Sequence, residues 1–351
     1  MTVESDKIPE VPSRQAAKRL FNRADRFAQG WYWAIASKHL KQNSPKAITL
    51  LGRDLVLYRQ ISGKPVALDA YCPHLGAPLA QGQIKQGHIR CPLHHWQFDE
   101  TGQCVFAPAC QPVSASVKSW TTAERYGLVW IWIGESSPET SAGACPLPHV
   151  PELADLKCDT SLSTFFRRNC HPNVVLINAI DAHHFNSVHN LPLEIRFKSE
   201  TLSKSAITFS NTTRGGEASR FVRLIRPLYP KAVTYRLCYW YGSTGTVTVG
   251  PDFLSFYLMF ALRPAAAGST EGQVVLLTPE RSGPLGGLFN RVALAVTNGV
   301  AAYFAKGDRE VFDSIKFDFK TPLPADRSIS QFVQHVEQQP ALEWKTWRIV
   351  T

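Results

Sequence analysis

The chain has 351 residues, 44% of them hydrophobic, which suits two domains with sizeable cores and excludes a disordered or fibrous chain. Its formal charge is +10, with cations concentrated between Lys7 and Lys46. No nucleic-acid motif accompanies that charge, so it reads as a solvated basic surface, or as a dock for an acidic electron donor or for membrane headgroups.

Residues 1–29 begin MTVESDKIPEVPSR, with acidic residues and prolines where a signal peptide needs an apolar run, and are expected to form a flexible leader. Residues 30–135 read as a small antiparallel β domain. Short strands are expected at Ala47 to Leu51, Leu55 to Arg59, Pro65 to Ala70 and Leu128 to Ile133, punctuated by Gly63, Gly82, Gly87, Gly102 and Gly127.

Inside this domain lie two short cysteine–histidine pairs, Cys72-Pro73-His74 and Cys91-Pro92-Leu93-His94. Structural zinc sites usually pair cysteine with cysteine and histidine with histidine, whereas each loop here carries one of each. Two thiolates and two imidazoles on paired loops instead suit a Rieske-type 2Fe-2S cluster, in which two histidines replace two cysteines on one iron and raise its potential. The other six cysteines show no disulfide spacing, and a reducing, cytoplasmic setting is expected.

Residues 136–160, rich in proline, serine and alanine, are expected to be a linker, and residues 161–351 a second domain. Strand-like runs at Ala206 to Thr212, Ser219 to Ile225, Val233 to Tyr241, Thr246 to Val249, Leu254 to Leu262 and Gln273 to Leu277 predict one antiparallel sheet of about six or seven strands. Helical patterns flank it, at Val174 to His189 and Leu285 to Ser314, giving an α+β domain. The apolar run Leu285 to Ala305 holds Asn290, Arg291 and Asn298, which argues against a transmembrane span and for a buried or amphipathic helix. In the first helical stretch, His183, His184 and His189 stand near Asp181. Two histidines and a carboxylate with open coordination positions are what non-haem Fe(II) needs to bind dioxygen.

The block Tyr71 to Gly102 resembles Rieske domains, and Asp181, His184 and His189, as D-x-x-H-x4-H, resemble the mononuclear iron motif of the Rieske non-haem iron oxygenases. GWYWAIASKHL, CPHLGAPLAQGQIKQGHIRCPLHHWQFDETGQC and TAERYGLVWIW look particularly like the aminopyrrolnitrin oxygenase type, with an echo in VHNLP around His189. Ala77 and Leu93 stand where respiratory Rieske proteins carry an additional cysteine pair, which places the resemblance in the oxygenase and ferredoxin branch. His95 departs from the usual glycine before the tryptophan.

The resemblance implies a helix-grip catalytic domain after the Rieske domain, with His184 and His189 as iron ligands. Their spacing is about 140° on an ideal helix, so the helix must bend or unwind near Asn186 and Ser187. Asp308 is implied as the third ligand, with Glu310 and Asp313 as competitors. Asp181 is implied to bridge an iron-ligating histidine to a cluster histidine of a neighbouring subunit in a head-to-tail trimer. Asn178 sits where many relatives have an asparagine and is counted with Asp181 among the implied catalytic residues, although the glutamate that often precedes it is Ile177 here, and His183 is expected to face solvent. The implied activity is oxidation of a hydrophobic or aromatic small molecule with dioxygen, by monooxygenation (hydroxylation, N-oxygenation or demethylation) in preference to cis-dihydroxylation. Electrons would enter at Cys72, His74, Cys91 and His94 from a separate ferredoxin or flavin reductase that draws on NAD(P)H. The chain has no G-x-G-x-x-G of its own after a predicted strand. The alternative is a Rieske electron carrier fused to a non-catalytic domain that binds an apolar ligand. Phe253, Phe256, Tyr257, Phe260, Tyr239 and Trp240 suggest apolar surroundings, though most are expected to be plain core.

Overall fold

The computed structural model describes residues 20–108, 114–138, 145–189, 195–213, 233–250, 255–265 and 268–344. The chain divides into two compact units, one built on Gln29–Leu147 and one on Pro148–Ala341.

The first unit is made of short antiparallel strands. They are β1 (Gly30–Ala36), β2 (Lys46–Leu50), β3 (Arg53–Arg59), β4 (Pro65–Asp69), β5 (Gln83–Lys85), β6 (His88–Arg90), β7 (Gln97–Phe98), β8 (Cys104–Phe106), β9 (Ser119–Trp120), β10 (Thr122–Arg125) and β11 (Leu128–Ile133). They form three sheets, ordered β9-β4-β3-β2, β10-β11-β1 and β5-β6-β7-β8. All six residues of β11 are buried, so it is a central strand covered on both faces. Its Trp130 and Trp132, two residues apart, share one of those buried faces. A core of Val56, Tyr58, Leu68, Ile89 and Phe98 includes the two cysteines Cys72 and Cys91.

The second unit holds a seven-stranded antiparallel sheet. Its strands are β12 (Cys158–Arg168), β13 (Lys198–Ser203), β14 (Ala206–Thr213), β15 (Val233–Trp240), β16 (Thr244–Gly250), β17 (Phe256–Pro264) and β18 (Thr270–Pro279), in the order β12-β18-β17-β16-β15-β14-β13. Helices α1 (Pro172–Ile177) and α2 (Ala182–Ser187) lie between β12 and β13 in the chain, and α3 (Pro284–Ser314) and α4 (Arg327–Glu337) follow the sheet. Sheet residues Phe209, Leu237, Tyr239, Val247 and Leu276 pack with Leu176, Ile180 and Phe332 in the main core. Tyr239 and Trp240 are buried, as expected of core, while Phe253 and the run Ser219 to Ile225 fall outside the described residues.

Three sequence expectations change here. Residues 20–28, inside the stretch expected as leader, contribute Leu20, Phe21 and Ala28 to the second core, because two large apolar side chains there gain burial. Residues 148–160, expected as linker, belong to the second unit: Val150 and Leu153 are buried and β12 already begins at Cys158. The stretch Val174 to His189 is not one helix. A 3-10 turn at Asn178–Ile180 and an extended Asp181, with ψ of 105°, separate α1 from α2.

Candidate metal centres

In the first unit the two cysteine–histidine loops are built alike. The Cys72 amide donates to Ala77 O at 2.9 Å and the Cys91 amide to Trp96 O at 2.8 Å, so each loop closes over the same number of residues. That closure aligns Gly76 with His95, and both have left-handed backbone, φ +74° and +62°. Glycine adopts this conformation freely, and histidine is among the few other residues that accept it. Cys72 and Cys91 are buried within the core, and burial pushes the Cys72 thiol up to about 11, with the neighbouring Cys91 adding to the rise. His74 and His94 lie outside, exposed, with ring centroids 4.6 Å apart, and Trp96 stacks on His74 at 4.6 Å.

In the second unit a second cluster is assembled from two distant segments. Tyr239 and Tyr235, four residues apart on β15 and so on one face, donate to Leu176 O and Ala179 O at 2.6 and 3.1 Å, and Ser328 Oγ donates to Ile180 O at 2.7 Å. These bonds hold the carbonyls that end α1 and its 3-10 turn. Asp181 then caps α2, accepting from the His183 and His184 amides at 2.9 and 3.2 Å. The helical stretch is broken before the first ligand candidate, and α2 then ends at Ser187, between His184 and His189, where the spacing requires a bend, so that His189 lies beyond it. His183 is exposed, as expected.

From α3, Asp308 reaches the same point. Its Oδ1 lies 2.9 Å from His184 Nε2 and 3.2 Å from His189 Nε2, and the two Nε2 atoms are 3.0 Å apart. Asn178 Nδ2 donates to the other oxygen, Asp308 Oδ2, at 2.6 Å. Burial lowers the His189 pKa and favours the neutral, metal-ligating form, while Asp308 opposes that shift. Gly307 makes the approach possible: a Cβ there would lie 3.1 Å from Val188 Cγ1 and 3.5 Å from His189 Cε1. Sequence reasoning missed Gly307, although a glycine one residue before a candidate ligand in an otherwise helical run was the available signal. Phe304 packs edge-on against His189 at 4.8 Å, and Phe185 lies between the two histidines and Tyr235.

Residues 30–121 match the family model of the Rieske [2Fe-2S] domain. The chain carries a Rieske domain. Among curated proteins the chain is 39% identical over 198 residues to aminopyrrolnitrin oxygenase PrnD of Pseudomonas fluorescens, covering 53% of each protein. It is 32% identical over 172 residues to the oxygenase component of 3-ketosteroid-9-alpha-monooxygenase of Rhodococcus rhodochrous, covering 47% of this chain and 44% of that protein. The chain thus spans about half the length of the curated relatives it matches. A crystal structure of dicamba monooxygenase bound to dicamba superposes with a TM-score of 0.59 at 23% identity, over 89% of this chain and 96% of that one, which shows a shared fold.

The residues present fit the cofactor of the Rieske domain. Two buried thiols face each other and two imidazoles stand at the rim, the donor set of an iron pair with sulfur ligands inside and histidines outside. The second cluster also passes a test of its own geometry. For metal–ligand bonds of about 2.1 Å, two ligands at right angles lie about 3.0 Å apart. The three sides of the triangle, 2.9, 3.0 and 3.2 Å, are those of three mutually adjacent ligands on one face of an ion. Asp308 Oδ1 is buried with no hydrogen-bond donor in line, an acceptor that a cation would satisfy. Among the described residues this is the one group of histidine, cysteine and carboxylate side chains, three or more together, close enough to hold an ion, and it does not contain Asp313; the Glu310 side chain falls outside the described residues.

Proposed function

We propose that the protein is a Rieske-type oxygenase that uses dioxygen and externally supplied electrons to oxidise a hydrophobic or aromatic small molecule by monooxygenation. His184, His189 and Asp308 hold a mononuclear Fe(II), and Cys72, His74, Cys91 and His94 hold the 2Fe-2S cluster. The observation that carries this reading is the triangle of His184, His189 and Asp308 in the same chain as a Rieske domain. An electron carrier with a non-catalytic second domain has no use for such a site. When bound, the Fe(II) supplies open positions for dioxygen and the cluster supplies single electrons.

The chain's own residues set the conditions for that chemistry. Asn178 holds one oxygen of Asp308, leaving the other for the ion. Phe185 and Phe304 pack their rings against His184 and His189 and give the histidines apolar neighbours. The similarity to enzymes whose names specify aminopyrrolnitrin and a ketosteroid supports an apolar cyclic substrate. Reducing equivalents come from a separate ferredoxin or flavin reductase using NAD(P)H. The subunits assemble as a head-to-tail trimer in which Asp181 links one subunit's iron histidine to its neighbour's cluster histidine.

Turnover with labelled dioxygen tests this reading. The full chain, supplied with NADH and a ferredoxin–reductase pair, is offered a panel of arylamines, sterols and polycyclic aromatics, and products are analysed by mass spectrometry. Label in a product that disappears with His184→Ala is the expected result. Consumption of NADH with no labelled product anywhere in the panel points to the carrier.

A further inference from the structure

Helix α3 has two faces of different character. On the inner one Asn290 and Thr297 are buried, and Asn290 Nδ2 reaches Asp159 on β12 at 2.7 Å. On the outer one Leu285, Leu288, Phe289, Val292, Val296 and Tyr303 are between 45% and 79% exposed. At 100° per residue these six fall within an arc of about 100° and run for about 27 Å along the helix. A continuous apolar stripe of that length on the surface marks an interaction site, unlike single exposed apolar residues.

The charges around the stripe identify what it meets. From Arg281 to Gly307 the sequence contains no acidic residue, and Arg281, Arg291 and Lys306 flank the stripe, while Arg309 beyond it pairs with Asp313 at 3.8 Å. The Arg281 guanidinium lies over the Phe289 ring at 4.2 Å, beside the apolar surface. A helix with one apolar face, a basic margin and too little apolar length to span is the form that lies in a lipid interface. No described helix is long and apolar enough to cross a membrane. A parallel pair of copies through this face would set each cation opposite itself.

We propose that the outer face of α3 docks on an anionic lipid surface, with its apolar residues at the boundary between headgroups and acyl chains and Arg281, Arg291 and Lys306 against lipid phosphates. Flotation of the full-length holoprotein with vesicles tests this, comparing pure phosphatidylcholine with a mixture containing about 30% phosphatidylglycerol. The wild type should float with the anionic vesicles and lose most of that binding in pure phosphatidylcholine or in about 0.5 M salt. Val292→Glu with Val296→Glu alters two exposed positions, and should lower anionic-vesicle partitioning by about tenfold or more. The Rieske absorption and circular dichroism of that variant should match the wild type. A wild type that does not float, or a variant that floats equally well, overturns the proposal. So does a variant whose only change is a lower mass by light scattering, because the face would then lie between copies of the chain.

Discussion

Asp308 is held between two neighbours of opposite kind, a side-chain donor and a missing side chain. Asn178 donates to its Oδ2 at 2.6 Å, and Gly307 leaves room for Val188 and the His189 ring. Replacing Asn178 with alanine frees the carboxylate to rotate. Fe(II) affinity of the mononuclear site, titrated against a chelator, should fall about tenfold, the lower end of what lost partners of metal ligands cost. The Rieske spectrum should not change, and unaltered affinity would remove Asn178 from the site. Gly307→Val adds a branched side chain where even a Cβ stands 3.1 Å from Val188. The expected product is a folded chain that keeps the cluster and loses the mononuclear iron, measured by metal analysis beside the visible spectrum.

At the scale of the element, the segment that carries the ligand candidates depends on its caps. His171 accepts from the Asn173 amide and starts α1, and Asp181 starts α2. Burial holds His171 at about 4, and His335 on α4, buried without a partner for its Nε2, also at about 4. Both are depressed below the ordinary histidine value, so each contributes stability that is fully present above about pH 6.5 and is lost as pH falls through about 4. Urea unfolding of the second unit should therefore weaken across that window, by up to about 3 kcal/mol per histidine. His335→Leu should flatten the dependence, and an unchanged slope would contradict the assignment. The elements were unequally legible in the sequence. The strands of the Rieske domain and the long helix α3 follow from short-range alternation and from a run of helix formers closed by known turn residues. β12 was missed because Cys158 to Arg168 follows a proline-rich stretch and its strand character comes from pairing with β18, about a hundred residues later. The break before α2 was missed for a related reason: Asn178 to Asp181 reads as helix by composition, and only the tyrosines of β15 and Ser328 fix it otherwise. The cysteine–histidine loops, by contrast, carry their chemistry within a few residues and needed no distant partner to be recognised. Asp308 sits 119 residues beyond His189 and could be paired with it only through a family resemblance.

For the whole molecule, the proposed function requires that electrons entering at exposed His74 and His94 reach the triangle of His184, His189 and Asp308. Asp181 is the residue proposed to carry them between subunits, and within its own chain it already has another task as the cap of α2. Asparagine caps a helix as well as aspartate does, so Asp181→Asn separates the two roles. The variant should keep both metals and its thermal stability while single-turnover electron transfer from the reduced cluster slows strongly. Normal transfer would end the bridging proposal, and a loss of stability would show the cap to be its main task. The central claim, two metal centres with separate ligand sets in one chain, is tested most directly by iron analysis of anaerobically prepared protein, read together with the cluster's visible spectrum. The account predicts about three irons per chain in the wild type and about two in His184→Ala, with the Rieske spectrum identical in both. Two irons in the wild type, or loss of the cluster colour in His184→Ala, would contradict it.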